Sequence, residues 1–397
     1  MRKVVLMLAT IALAMVSASG VALALTTSPG SSTNADATRG TKAADAALDR
    51  ALKNLVAMRG GPPGVIAVVQ RGEHREVHTF GVANLKTERR MRIGDHMRIA
   101  STAKAFSGAA ALSLVSKGAL SLNDTINERR PELPAEWSEV TLRQLLNHTS
   151  GLPDFSQSPR FRDALLASPT KAPPPEELLS FVEKKDLRFD PGTQYKYSNS
   201  DNIAVALMVE EATGRTYEGQ LQEQVYGPLG LRKTTLPRGI NLQTPYIHGY
   251  DNDPNDQPPE DYSKLFAGGW SWASGGMVST PADLNDFIRG YVGGELFDLR
   301  TRARQRQVFE GGSSEPPGPG QNSAGLGIFR YETKCGTIWG HTGNTPGYTQ
   351  FMAASPNGRR SATVSINSQI TPTEGVPGVF KALRHADARA VCAALAG

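Results

Sequence analysis

Residues 98–106, RIASTAKAF, open a run of alanine, leucine and valine holding one lysine, Lys104, three positions after Ser101. A helix turns about 100° per residue, so positions three apart return to one face, roughly 4.5 Å apart along the axis. Ala103, Phe106, Ala109, Ala110 and Leu112 leave little polar surface. The helix is expected from Ser101 to Leu120, with Lys117 in its last turn and Gly118 as its stop, and it should be buried. An ammonium there costs several kcal/mol unless it is paired or gives up its proton. Either outcome suits catalysis, because a neutral or strongly hydrogen-bonded lysine accepts the proton of a serine hydroxyl. Spacing alone is a cheap signal. Ser168 and Lys171 repeat it beside Pro169, which breaks a helix, and a capping serine with a snorkelling lysine fits equally well.

A second element is Tyr197-Ser198-Asn199, between the turn former Asp190-Pro191-Gly192 and an amphipathic helix. A phenol near a lysine can ionise at lower pH and act as base, then as acid, while Asn199 can orient a carbonyl by donating from its amide. A packed tyrosine and a helix-capping asparagine fit as well, and Tyr250 to Asn252 repeats the spacing. The third element is WGHTGNTPGY, residues 339–348, where His341-Thr342-Gly343 follows the strand GTIW. Glycine there lets a substrate lie against the strand edge, and a strand-edge N–H opposite Ser101 N–H would make an oxyanion hole. Alone, His341 is more often a structural histidine at a strand end than a catalytic one.

Outward from these elements, the 397 residues allow two domains, or one with a large insertion. Residues 1–24 combine a basic start, a short apolar stretch and small residues near Ala18 and Ala24, and read as a secretory signal peptide. Residues 25–41 read as a disordered leader. A helix from Lys42 to Met58 and two strands around Arg71-Gly72-Glu73 should follow. Residues 121–265 read as mainly helical, cut by proline-rich loops. A helix capped at Thr280-Pro281, a solvent loop EGGSSEPPGPGQNS, three or four strands and a last helix close the chain. The fold class is therefore α/β. An antiparallel sheet flanked by helices, from residues 42–120 and 266–397, is interrupted by an all-helical insert at 121–265.

Removing Arg2 and Lys3 takes the formal charge from +5 to +3. With no basic cluster, this argues against a nucleic-acid partner. No later segment suits a membrane anchor, so a secreted, cell-wall-associated or extracellular monomer is expected. In an exported chain Cys335 and Cys392 should pair, closing a loop worth up to about 4 kcal/mol. No Cys/His cluster has metal-ligand spacing, and neither metal nor cofactor is expected.

Ser-x-x-Lys early, Tyr-x-Asn in the middle and His-Thr-Gly late resembles the penicillin-recognising serine hydrolases. Within them the chain is similar to the class C β-lactamase and D-alanyl-D-alanine carboxypeptidase family, above all the secreted carboxypeptidases. LRQLLNHTSGLPDF, YGPLGLRKTTLP and GGMVSTPADL extend the likeness over nearly all of the mature chain. The resemblance implies that Ser101 attacks a D-Ala-D-Ala carbonyl of a peptidoglycan peptide, or a β-lactam, and forms an acyl-enzyme. It implies that Lys104 and Tyr197 move the protons and that Asn199 holds the acyl side. His341, Thr342 and Gly343 would line the opposite wall, Trp270 would border the cleft, and the N–H groups of Ser101 and Asn344 would bind the oxyanion. Two departures stand out. Asn344 replaces a threonine, and Phe329 occupies the place of the arginine that clamps the substrate carboxylate, leaving Arg330 one residue off. A shift of one residue turns a strand side chain to the other face, so Arg330 serves only if a bulge re-aims it. These departures keep open an esterase, a class C-like β-lactamase, or a non-catalytic penicillin or peptide sensor.

Overall fold

Gly64–Arg71 forms strand β1, and its β-branched run divides between two apolar cores. Val65, Ala67 and Val69 pack in the cluster of Leu48, Leu52, Leu383 and Val391, whereas Ile66 belongs with Phe106, Phe287 and Ile288. A sheet buried on both faces needs helices on both. The computed structural model, which describes residues 34–397 except 252, 256 and 374, has that layering.

The other strands are β2 (His74–Gly81), β3 (Met97–Arg98), β4 (Val278–Ser279), β5 (Phe309–Glu310), β6 (Gln321–Ala324), β7 (Phe329–Thr333), β8 (Gly336–Thr345), β9 (Tyr348–Ala354) and β10 (Arg360–Ile366). Eight make one sheet in the order β2-β1-β10-β9-β8-β7-β6-β5, every pair antiparallel, and β3 with β4 makes a separate ribbon. Helices α1 (Asn34–Ala57) and α6 (Val379–Leu395) share one core. Helices α2 (Ala103–Ser116), α3 (Asn199–Thr213), α4 (Trp272–Gly275) and α5 (Pro281–Gly293) share the other.

Most expected elements form where the periodicity places them. The β1–β2 turn falls at Gly72-Glu73, and Thr280 caps α5 by accepting from Asp283 N, with Pro281 in the first turn. Cys335 and Cys392 are bonded, tying the β7–β8 turn to α6. Three expectations need correction. The signal peptide and residues 25–33 lie outside the described residues, but residues 34–41, read as leader, already belong to α1, because the alanine-rich sequence carries helical preference back through Gly40. The insert is less helical than expected. Among the described residues of 231–265 there is no helix, and the stretch is pinned from inside, where Arg98 donates to Ser263 O (3.0 Å) and Ile240 O (3.1 Å). The loop EGGSSEPPGPGQNS is also largely buried rather than solvated. Its backbone carbonyls find donors on the body of the protein. Tyr195 donates to Ser313 O, Thr342 Oγ1 to Pro316 O at 2.5 Å and Arg384 to Gly318 O at 2.7 Å. A loop with its polar groups satisfied can be buried.

Candidate active site

The segment leading into α2 makes one 3-10 turn, Ala100–Thr102, before the α-helix begins at Ala103. Ala100 has φ +48°, a left-handed backbone that a residue with a Cβ adopts only under constraint. The constraint comes from both sides: Ile99 N–H donates to Met277 O at 3.1 Å, and Thr102 Oγ1 to Ile99 O at 2.6 Å. The kink leaves Ser101 partly exposed at the head of a helix whose residues 103–114 are buried, Lys104 among them.

Lys104 Nζ lies 3.0 Å from Ser101 Oγ, 2.7 Å from Asn199 Oδ1 and 2.6 Å from Ser274 O. It also sits 5.0 Å from the centre of the Tyr197 ring. Burial drives its pKa from 10.5 down to about 7, against the pull of Asp154, Glu315 and Asp201. The Asn199 amide is oriented by its other end, since Nδ2 donates to Asp154 Oδ2 and Ser156 Oγ, both at 3.0 Å. Asn199 Oδ1 and Ser274 O can only accept. A neutral amine has two N–H groups and one lone pair, so these acceptors take both donors and the lone pair is left for the Ser101 hydroxyl.

Tyr197 Oη is buried without a well-formed hydrogen bond. Burial raises its pKa well above 10, opposed by the Ser101 hydroxyl that faces it, and the nearby Glu315 and Asp154 add to the rise. A lysine beside a phenol is expected to help it ionise. Here desolvation outweighs that attraction, which keeps the phenol protonated at neutral pH and leaves the lysine weakly basic.

Strand β8 closes the other side. A Cβ on Gly343 would come within 2.7 Å of Ile99 O, 2.9 Å of Thr102 N and 3.0 Å of Ser101 N, so glycine is what lets the strand approach Ser101. His341 is buried and held neutral, its pKa lowered to about 3 by desolvation and then by Lys104. The remaining expected residues are engaged elsewhere. Thr342 donates to Pro316 O, and the Asn344 side chain donates from Nδ2 to Ile370 O at 2.5 Å, a bond separate from the backbone N–H expected to face the oxyanion. Both N–H groups of the Asn199 amide are taken, which leaves none for a substrate carbonyl. Trp270 packs in the helical insert against Phe161 and Phe181 and donates to Ser168 O at 3.0 Å. Strand β7 runs in register, Phe329 opposite Gly340 and Arg330 opposite Trp339, with no bulge. Phe329 therefore stacks against His148 and meets His341 edge-on, while Arg330 pairs with Glu310 at 2.9 Å.

Three residues of the site carried no assigned role in the sequence reading. His148 (φ +59°) binds Asp201 through Nδ1 at 2.7 Å, and its ring centre lies 4.5 Å from that of Tyr197. Desolvation and Lys104 lower its pKa to about 3. Asp154 orients Asn199, and Glu315 lies in the buried loop. The first two fall within LRQLLNHTSGLPDF, a stretch whose likeness was visible but whose contacts were not.

A family model described as Beta-lactamase matches residues 48–385. This chain belongs to that family. Within the beta-lactamase family it is 24% identical to a penicillin-binding protein of Bacillus subtilis strain 168, over 81% of this chain and 71% of that one. It is 30% identical to a D-aminopeptidase of Brucella anthropi, over 76% of this chain but only 55% of the relative's length. Among solved structures, a D-stereospecific amidohydrolase from Streptomyces sp. superposes with a TM-score of 0.72 at 27% identity, over 82% of this chain and 94% of that one. The antiparallel sheet flanked by helices is the fold of this beta-lactamase family. Among the described residues no helix is long and apolar enough to cross a membrane.

Proposed function

We propose that this chain is a serine hydrolase that cleaves amide bonds of D-amino acid substrates through an acyl-enzyme on Ser101. The observation that carries the reading is the set of contacts at Lys104: two fixed acceptors, Asn199 Oδ1 and Ser274 O, would consume both N–H groups of a neutral amine and leave its lone pair for the serine hydroxyl 3.0 Å away. In the proposed sequence Lys104 takes the Oγ proton as Oγ bonds to the carbonyl carbon. The tetrahedral adduct then collapses with loss of the amine, which receives a proton from the Tyr197 phenol, and the phenol is restored from the Lys104 ammonium. Water repeats the cycle on the ester.

The D-configuration rests on the named relatives, a D-aminopeptidase and a D-stereospecific amidohydrolase. The D-Ala-D-Ala carboxypeptidase expected from the motifs is a second reading, supported by likeness to a penicillin-binding protein. It is weakened by Phe329, which fills the place of the carboxylate clamp, and by Arg330, which pairs with Glu310. The disulfide is compatible with a secreted protein. The test is to treat the protein with a penicillin, and separately with D-alanine p-nitroanilide and a diacyl-L-Lys-D-Ala-D-Ala peptide. Stoichiometric labelling of Ser101, with turnover abolished by Ser101→Ala, is expected. Undiminished turnover by Ser101→Ala would remove the nucleophile. D-Alanine release from the peptide without nitroanilide hydrolysis would restore the carboxypeptidase.

A further inference from the structure

The loop between β5 and β6 carries a carboxylate into the site without a partner. Its neighbours are stapled in place: Tyr195 holds Ser313 O, Ser314 Oγ meets Tyr331 Oη at 3.0 Å, and Thr342 holds Pro316 O. Glu315, between these staples, is held where the 195–197 segment and the His341-Thr342 strand converge. Its charge is felt by Lys104, Tyr195 and Tyr197. Among the described residues it makes neither a hydrogen bond nor an ion pair. Lys196, Lys104 and Arg188 are near enough to favour its ionised form, but none touches it, and Asp154 opposes them.

The opposite charge is missing from the groups expected to bind a substrate carboxylate. Phe329 is apolar, Arg330 is paired with Glu310, His341 is neutral, and Lys104 is committed to Ser101, Asn199 and Ser274. A part-buried carboxylate within electrostatic reach of Lys104 and Tyr197, with no cation bound to it, suits a cationic ligand. We infer that Glu315 receives the protonated amino group of the substrate, so that the site selects D-amino acyl amides and peptides with a free N-terminus over N-acylated ones. This rests on the serine hydrolase reading only for the placement of the scissile bond. Burial, then Asp154, raises Glu315 to about 7, so an ammonium bound there would also draw the carboxyl to its ionised form.

The test reads binding rather than turnover. Ser101→Ala protein is titrated by calorimetry with D-alaninamide and with N-acetyl-D-alaninamide at pH 7.5. The free amine should bind at least about 10-fold more tightly, the scale expected for a close charge pair shielded from water. Glu315→Gln on the same background should erase that preference, and Glu315→Asp should restore part of it. Equal affinities, a preference that survives Glu315→Gln, or no binding of either probe up to 50-fold excess over a millimolar protein solution would each overturn the assignment. Failure of the serine mechanism leaves this result intact, because the measurement is made without the nucleophile.

Discussion

Three groups within 3.0 Å of Lys104 Nζ compete for an amine that burial has made weakly basic. Accepting the Ser101 proton requires the neutral form, which dominates only above about pH 7. The acylation rate measured with an uncharged N-acylated ester should therefore fall about tenfold per pH unit below that point and level off above about pH 8. A flat profile from pH 5 to 9 would exclude the lysine as base. The same shift is a stability statement. Between about pH 7 and the ordinary 10.5, the unfolded chain holds a proton that the folded chain lacks, so stability rises with pH across that window. Lys104→Met should lose activity by about 1,000-fold or more. Its stability curve, followed by denaturant unfolding, should lack the rise, the two curves diverging by a few kcal/mol on an order-of-magnitude scale. Of this residue-scale picture, the Ser101–Lys104 pairing was legible from a spacing of three. The acceptors that fix the amine were not, because Ser274 and Asn199 lie 170 and 95 positions away.

At the scale of elements, the approach of β8 to the head of α2 is the decisive contact. All three atoms that a Cβ on Gly343 would meet are backbone, so no rotamer change relieves the overlap. Gly343→Ala should push β8 from Ser101, lowering kcat by about 100-fold through misplaced groups while costing about 1–3 kcal/mol in stability. Near-normal kcat with normal melting would show that the strand tolerates displacement. Gly108 and Gly327 form a second such contact, where a Cβ on Gly108 would lie 2.7 Å from Gly327 Cα. The strands and the longer helices were legible because their periods, two and 3.6, survive in the sequence. The loop at 311–320 was misread because its glycines, serines and prolines signal a turn, whereas its burial is decided by Tyr195, Thr342 and Arg384 on other elements.

In the whole molecule, the disulfide and Ser101 sit toward opposite ends of β8. Gly343 lies seven positions along the strand from Gly336, next to Cys335, roughly 23 Å of extended strand. Removing the bridge with a Cys335→Ser/Cys392→Ser double variant should lower stability by up to about 4 kcal/mol on the chain-entropy model. The kcat of the folded protein should stay within about twofold, since no substrate-facing group depends on the bridge. A large fall in kcat at a temperature where the variant remains folded would mean that α6 steers β8. The helical insert shares its apolar core with α2 and one sheet face, from Leu146 and Phe161 to Met352. The boundaries at 120 and 266 are thus topological rather than breaks in packing.

The sequence by itself determined the α/β class, the antiparallel strands, the buried helix that carries Ser101 and Lys104 and the three motifs in order, because local periodicity and residue chemistry are written along the chain. Only the tertiary structure shows that Lys104 is desolvated and the Tyr197 phenol kept protonated, that Arg330 turns away to Glu310, and that Glu315 lies within electrostatic reach of Lys104. Those outcomes depend on desolvation and on partners contributed by distant segments, and neither quantity has a signature in the spacing of neighbours.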